Sequence, residues 1–236
     1  MKRIITLLLI VSVAFSLIGC DLFGAANVYD RYDLDADGNE IRVQVMHAPG
    51  NKSEIWLERY YNKDGWLERE ISYVSYAEGK IGYDTFFRQD GTRTETTTYV
   101  EDTTEYMIEK FDENDVCSIC YTYNGTKLIA VEEFYSSGER SKVTYYTDPN
   151  YHFTSYHFAT NGTEIAYHAK WTENGNVYEE FDVLEGRIRI SSDMYVTTVD
   201  GDFVEHYLTE YAPNGEMTKT IHYDKDGNVY DDAEHH

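Results

Sequence analysis

The chain has 236 residues, of which 43 are acidic and 20 are Lys or Arg, so its formal net charge is −23 at pH 7. This length predicts one large domain, and the acidic balance argues against binding to nucleic acid or to anionic lipid headgroups, both of which need basic patches. Tyrosine is abundant at 23 residues, beside 16 glycines and only 3 prolines. Such a mixture of β-formers and turn residues predicts an all-β protein.

Residues 1–19 have the pattern of a secretory signal peptide: a positive start, Met1-Lys2-Arg3, followed by an apolar stretch. The stretch ends in Leu17-Ile18-Gly19-Cys20, which resembles the lipobox of bacterial lipoproteins. The resemblance implies that the chain is cut before Cys20 and that this residue receives acyl chains such as palmitate. Because several acyl chains on one residue give stable anchoring, the chain is expected at a membrane of the bacterial cell envelope. The pattern does not predict the leaflet or the side.

The rest of the chain is predicted to comprise three segments. These are a lipidated tether at residues 20–29, a β-hairpin repeat domain at 30–231 and a polar tail at 232–236. No second apolar stretch approaches the length of a membrane span, so the lipid is the only expected contact of the chain with the membrane.

Candidate turns recur through the repeat domain in two interleaved series, with successive turns of one series 23 to 29 residues apart. The first series is Gly38, Gly65, Gly91, Asn114-Asp115, Gly138, Gly162, Gly186 and Gly215; the second is Gly50, Gly79, Asp102, Gly125, Pro149-Asn150, Gly175, Gly201 and Gly227. The segments between the turns alternate as strands do. We therefore expect a long antiparallel meander of about sixteen short strands, in a strongly twisted single sheet that can curl on itself. Turns are least clearly marked in 101–116 and 186–200.

Three stretches carry a resemblance to known repeats: Tyr60-Tyr-Asn-Lys-Asp-Gly65, Tyr211-Ala-Pro-Asn-Gly215 and Tyr223-Asp-Lys-Asp-Gly227. They are similar to MORN-variant repeats and to the tyrosine-aspartate repeats of bacterial surface proteins. The resemblance implies a hairpin-repeat architecture. By analogy with MORN-variant proteins, it also implies an immunity or antitoxin-like role as an alternative function.

An acidic stretch near the start of the repeat domain, Asp33-Leu-Asp-Ala-Asp-Gly38, begins like a calcium loop. Asp33, Asp35 and Asp37 are the candidate ligands, but the twelfth position is Gln44 where such a loop needs a bidentate Glu. The alternative is an Asp-rich hairpin turn. Calcium is the only cofactor that the sequence suggests.

Cys117 and Cys120 form a Cys-x-x-Cys pair in a segment that reads as a strand. On a regular strand their Cα atoms lie about 10 Å apart, which is too far for a disulfide. Unpaired thiols, a local disulfide and a metal or redox site all remain open, and the disulfide requires the preceding turn to extend through Cys117.

Exposed aromatic residues are candidates for contact with a partner, and Trp56, Trp66 and Trp171 are the tryptophans of the chain. The alternative is that they belong to aromatic ladders that hold the sheet together. No nucleophile elbow, zinc-protease motif or phosphate-binding loop is present in the sequence.

The leading functional hypothesis is a lipid-anchored, non-enzymatic envelope protein that binds or spaces a protein or glycan partner. The immunity role is the first alternative. A glycan-active enzyme is the second, and it predicts a cleft that holds a carboxylate of raised pKa. Exposed edge strands of an open meander also predict self-association.

Overall fold

The structure, a computed structural model, describes residues 28–35, 38–48, 51–186 and 188–234, except for the side chains of residues 52, 53 and 234. Over these ranges the chain has seventeen β-strands and no helix. The predicted signal peptide and Cys20 lie outside the described residues. Contacts divide the chain into two compact units, residues 1–81 (unit 1) and 82–236 (unit 2).

Unit 1 contains β1 (Val28–Leu34), β2 (Glu40–Ala48), β3 (Asn51–Tyr61) and β4 (Leu67–Ser75). β5 (Lys80–Phe87) begins at the boundary, and unit 2 continues with β6 (Arg93–Tyr99), β7 (Glu105–Phe111), β8 (Cys117–Asn124), β9 (Lys127–Phe134), β10 (Arg140–Tyr145), β11 (Tyr151–Phe158), β12 (Glu164–Glu173), β13 (Asn176–Glu185), β14 (Ile188–Thr198), β15 (Phe203–Tyr211), β16 (Met217–Tyr223) and β17 (Val229–Glu234). Within each unit, strands that are consecutive in the sequence pair antiparallel. The predicted all-β antiparallel meander is confirmed, with one strand more than expected.

The strands are separated at the positions that the two turn series predict, apart from the Gly50 turn, which lies outside the described residues. One type of five-residue turn recurs nine times in the described residues. The backbone N–H of its first residue donates a hydrogen bond to the carbonyl of its fifth residue. The backbone N–H of its fourth residue donates a hydrogen bond to the carbonyl of its first residue. These turns begin at residues 35, 62, 88, 112, 135, 159, 198, 212 and 224. The fourth residue has a positive φ in each case, which is why glycine marks the turn so regularly.

One of these turns has aspartate where the others have glycine. Asp115 holds a φ of 62°, and its carboxylate accepts hydrogen bonds from the backbone N and the Nε of Arg93, both at 2.9 Å. Aspartate tolerates this backbone region better than most residues, and the bonds to Arg93 compensate the remaining strain. The turn in 101–116 that the sequence marks poorly is therefore formed without glycine.

A β-bulge follows eight of the nine turns, because one residue of the outgoing strand has no partner opposite it. In the β7–β8 hairpin, Phe111 pairs with Cys117 and Lys110 pairs with Ile119, so Ser118 is the extra residue. The same break in register occurs in the other hairpins. A bulge increases the local twist and reverses the alternation of side chains along its strand. Residues three apart across a bulge therefore share a face.

Unit 1 has a small apolar cluster of Val43, Val45 and Ile55, with Tyr60 and Tyr73 packed against it. Beside this cluster lies a buried carboxylate. Glu58 on β3 is only 2% exposed. It accepts hydrogen bonds from the Tyr60 hydroxyl at 2.7 Å, the Tyr73 hydroxyl at 2.8 Å and Arg31 Nη1 at 3.0 Å. Glu58 thus joins residues of β1, β3 and β4.

These hydrogen bonds predict that unit 1 is sensitive to base. Burial and the bond to Glu58 raise the pKa of Tyr60 from 10 to about 12, and the same two causes raise the pKa of Tyr73. Because the pKa of each hydroxyl is higher in the folded chain than in the unfolded chain, its contribution to the free energy of unfolding is complete below pH 10. The contribution is lost as the pH rises through the pKa of the folded state. We expect the urea midpoint to fall above pH 10, and to fall less in the Tyr60→Phe, Tyr73→Phe double variant. Equal falls in both proteins would show that other groups control the transition.

Unit 2 buries mainly small and polar side chains at mid-strand positions. Thr85 and Thr96 share a hydrogen bond of 3.0 Å across β5 and β6, and Thr144 and Ser155 do the same across β10 and β11. Aromatic side chains stack across neighbouring strands, as the rings of Tyr106 and Tyr123 show at 5.0 Å and 8°. Aromatic ladders across neighbouring strands are therefore present in unit 2.

Candidate functional site

The three tryptophans occupy different environments. Trp56 lies at an irregular position of β3 and is 37% exposed. Trp66 is half-buried in the turn after β3, where its carbonyl accepts the N–H of Asn62. Trp171 of unit 2 stacks on Tyr178 with ring centroids 5.3 Å apart and planes at 9°. Trp171 therefore belongs to a ladder, and Trp56 keeps the more exposed ring.

The acidic stretch after β1 forms a hairpin turn. Both carboxylate oxygens of Asp33 accept Arg31 Nε, at 3.0 and 2.9 Å. Asp35 accepts the backbone N and the side-chain Nδ2 of Asn39, at 2.8 and 2.9 Å. Asp37 lies outside the described residues. The two described carboxylates thus accept hydrogen bonds from residues of the same hairpin. Calcium binding stays a prediction.

The bulge in β8 brings the two cysteines to one face. Cys117 pairs with Phe111, and Cys120 pairs with Glu109, two residues away on β7. Their Cα atoms are therefore about 7 Å apart, near the upper limit for a disulfide and less than a regular strand would give. Both are free thiols in the structure. Burial and the nearby charge of Glu109 raise the pKa of Cys117 to about 11 and that of Cys120 to about 12.

These raised pKa values predict slow alkylation of both thiols in the folded protein. Because the thiolate is the nucleophile, iodoacetamide at pH 8 should label the reduced chain at least about 100-fold more slowly in buffer than in urea. Mass spectrometry of each cysteine-containing peptide measures the two rates separately. Labelling of either cysteine at the unfolded rate would contradict the burial described for it.

A groove lies between two of the recurrent turns, 135–139 and 159–163. Its volume is about 490 Å³, and Glu139, Arg140, Phe158, Thr160, Asn161 and Gly162 line it. The Tyr135 hydroxyl donates to the Phe158 carbonyl at 2.8 Å and ties the first turn to the strand that leads into the second. Glycines at the fourth positions of both turns are open to solvent. This larger of the two described cavities is the candidate site.

Neighbouring gaps between equivalent turns are filled by side chains, which explains why this one is open. Between the turns 88–92 and 112–116, Arg88 donates to the carbonyls of Phe111 and Asp112, at 2.6 and 2.9 Å. The gap between the turns 112–116 and 135–139 contains the side chain of Val116. A side chain in place of Gly138 would bring its Cβ within 3.9 Å of Val116 Cγ1. The next gap has only the short residues Thr160, Asn161 and Gly162 on its far side.

The polar groups that line the groove include the carboxylate of Glu139, the guanidinium of Arg140 and the amide of Asn161. The Ser137 hydroxyl lowers the pKa of the Glu139 carboxyl, so this group stays charged at neutral pH. Arg140 pairs with Glu132 through one Nη and is 38% exposed. Asn161 uses Oδ1 to accept the N–H of Thr163 at 2.9 Å. A charged acceptor, an arginine and an amide therefore line the groove together with Phe158.

Carboxyls of raised pKa occur elsewhere in unit 2. Burial raises the pKa of Glu180 and Asp182, which share a face of β13, and Arg189 pairs with Asp182 at 2.5 Å. Asp182 is only 2% exposed. Burial also raises the pKa of Glu109 beside the cysteines. The groove and the raised carboxyls are thus separate features.

The described part of the chain contains no group of three or more His, Cys, Asp or Glu side chains arranged to hold a metal ion. It also contains no helix with the length and apolar character needed to cross a bilayer. No protein-family model matches the chain, and no curated protein matches it.

Proposed function

We propose that this chain is a lipid-anchored, non-enzymatic protein of the bacterial cell envelope, which holds a protein or glycan partner on its hairpin-repeat domain. The lipobox-like Leu17-Ile18-Gly19-Cys20 supports the anchor. The observation that favours binding is the open groove of unit 2, with its mixture of aromatic, charged and amide groups. The net charge of −23 disfavours nucleic acid and anionic lipid as the partner.

Binding without catalysis is supported by the distribution of carboxyl groups. A glycan hydrolase needs an acid of raised pKa within reach of its substrate. Glu139, the carboxyl in the groove, has a lowered pKa. The described carboxyls of raised pKa, Glu109, Glu180 and Asp182, do not line the groove.

The experiment is capture from envelope extracts on an immobilised chain of residues 21–236. We expect one component to be enriched saturably and to be displaced by free chain. The heat-unfolded chain, which has the same charge, is the control for ionic adsorption. Failure to enrich any component, together with measured turnover of an envelope glycan, would replace this proposal with the enzymatic one.

A further inference from the structure

We propose that the groove between the turns 135–139 and 159–163 is a glycan site, which takes a sugar ring against Phe158 and its hydroxyls on the surrounding polar groups. This inference rests on the proposed function and names the partner class for the same surface. It assigns the aromatic contact to Phe158, whereas the sequence pointed to the tryptophans.

Hydrogen bonds within the chain hold the frame of the groove. Each bounding turn is closed by its own pair of backbone hydrogen bonds, between 2.8 and 2.9 Å long. The bond from the Tyr135 hydroxyl to the Phe158 carbonyl, 2.8 Å long, fixes one side of the groove relative to the other. A site that is already formed loses little conformational entropy on binding, which matters most for weakly bound, hydrated ligands.

The lining has the two kinds of surface that a pyranose ring needs. The ring's C–H face is apolar and packs on an aromatic side chain, and Phe158 is the aromatic residue of the groove. The ring's hydroxyls both donate and accept hydrogen bonds. Glu139 supplies a charged acceptor, while Arg140 and the Asn161 amide supply donors. The lining can therefore both donate hydrogen bonds to the hydroxyls of the ring and accept hydrogen bonds from them.

Other ligand classes fit this lining less well. A phosphate group would meet the negative carboxylate of Glu139 in a chain whose net charge is −23. An apolar ligand would leave the charged and amide groups without partners. A peptide strand needs a free sheet edge, but β10, β11 and β12 are paired with one another beside the groove. A neutral, hydroxyl-rich ligand remains.

The test is calorimetric titration of the full chain, purified from membranes in a detergent without a sugar head group. The probes are the tetrasaccharides of β-1,4-linked glucose, β-1,4-linked N-acetylglucosamine and mannose. We expect at least one probe to bind with a dissociation constant of about 1 mM or tighter. Thr160→Phe, which fills the groove from an exposed turn position, should weaken that binding at least about tenfold. Glu139→Gln, which removes the charge at constant size, should weaken it about three- to tenfold.

Gln89→Phe is the matched control, because Gln89 holds the same position as Thr160 in the equivalent turn 88–92 and is also exposed. It should bind within about twofold of the wild type, since its added ring lies outside the groove. Absence of binding by all three probes, or equal binding by Thr160→Phe, would overturn the glycan site. If Thr160→Phe still captured the envelope component, only the glycan site would fall, and the proposed function would stand on another surface.

Discussion

Replacement of Glu58 by alanine is expected to lower the free energy of unfolding by about 3 kcal/mol. The carboxylate is 2% exposed and accepts three hydrogen bonds, from Tyr60, Tyr73 and Arg31. Its removal leaves two half-buried hydroxyls without their acceptor and opens space beside Val45, the residue opposite Glu58 on β2. Urea unfolding followed by circular dichroism at pH 7 measures the change.

The matched control is Glu68→Ala, because Glu68 lies on the neighbouring strand β4 and is exposed. We expect this change to stay within about 0.5 kcal/mol of the wild type. Glu58→Gln should fall between the two, since the amide keeps the volume and one acceptor oxygen. An effect of Glu58→Ala no larger than that of Glu68→Ala would contradict the linking role of this carboxylate.

The second large effect concerns the anchor: Cys20→Ala is expected to abolish acylation of the chain. If the lipobox-like sequence functions as its resemblance implies, the sulfur of Cys20 is the attachment point, and no other side chain can replace it. Growth with a palmitate analogue, followed by capture of the chain, measures the label directly. The wild type should be labelled, and the variant should carry no label above background.

Cys117→Ala and Cys120→Ala are the controls for this experiment, because both residues are free thiols in unit 2. Each variant should keep the full label. Equal labelling of the Cys20→Ala chain would show that acylation uses another residue, and the anchor assigned to residues 17–20 would then be wrong.

The turn positions explain why the architecture was predictable from the sequence. A turn that needs a positive φ selects glycine, or aspartate as at residue 115, so local chemistry marks almost every strand end. Strand pairing then follows from the order of the chain, because a meander pairs neighbours. The described turns therefore match the two predicted series, including the poorly marked turn at Asp115.

The bulges could not be predicted in the same way, and they change the geometry of a candidate site. Nothing in the sequence marks Ser118 as a bulge residue. Because it has no partner on β7, Cys117 and Cys120 lie on one face of β8. The sequence treats β8 as a regular strand and so overestimates the distance between the two cysteines.

The groove could not be predicted from the sequence for a related reason. It is open because the turn 159–163 has only short side chains on its far side, whereas side chains fill the neighbouring gaps. Asn161, Gly162 and Thr163 are ordinary turn residues in the sequence, and nothing local shows that Val116 fills one gap while the next stays open. Comparison of side-chain size at equivalent positions of successive turns could have indicated which gap stays open. Glu58 was equally hidden, because a single acidic residue between Leu57 and Arg59 gives no sign in the sequence that its side chain is buried.

The most direct test of the central claim is a binding isotherm of the chain on isolated cell envelopes, with the supernatant assayed for released sugar. A chain of residues 21–236 removes the contribution of the anchor. The account predicts saturable binding that unlabelled chain displaces, with no release of glycan fragments over time. Uptake that rises linearly without saturation, or steady release of reducing sugar ends, would contradict a non-enzymatic binding module.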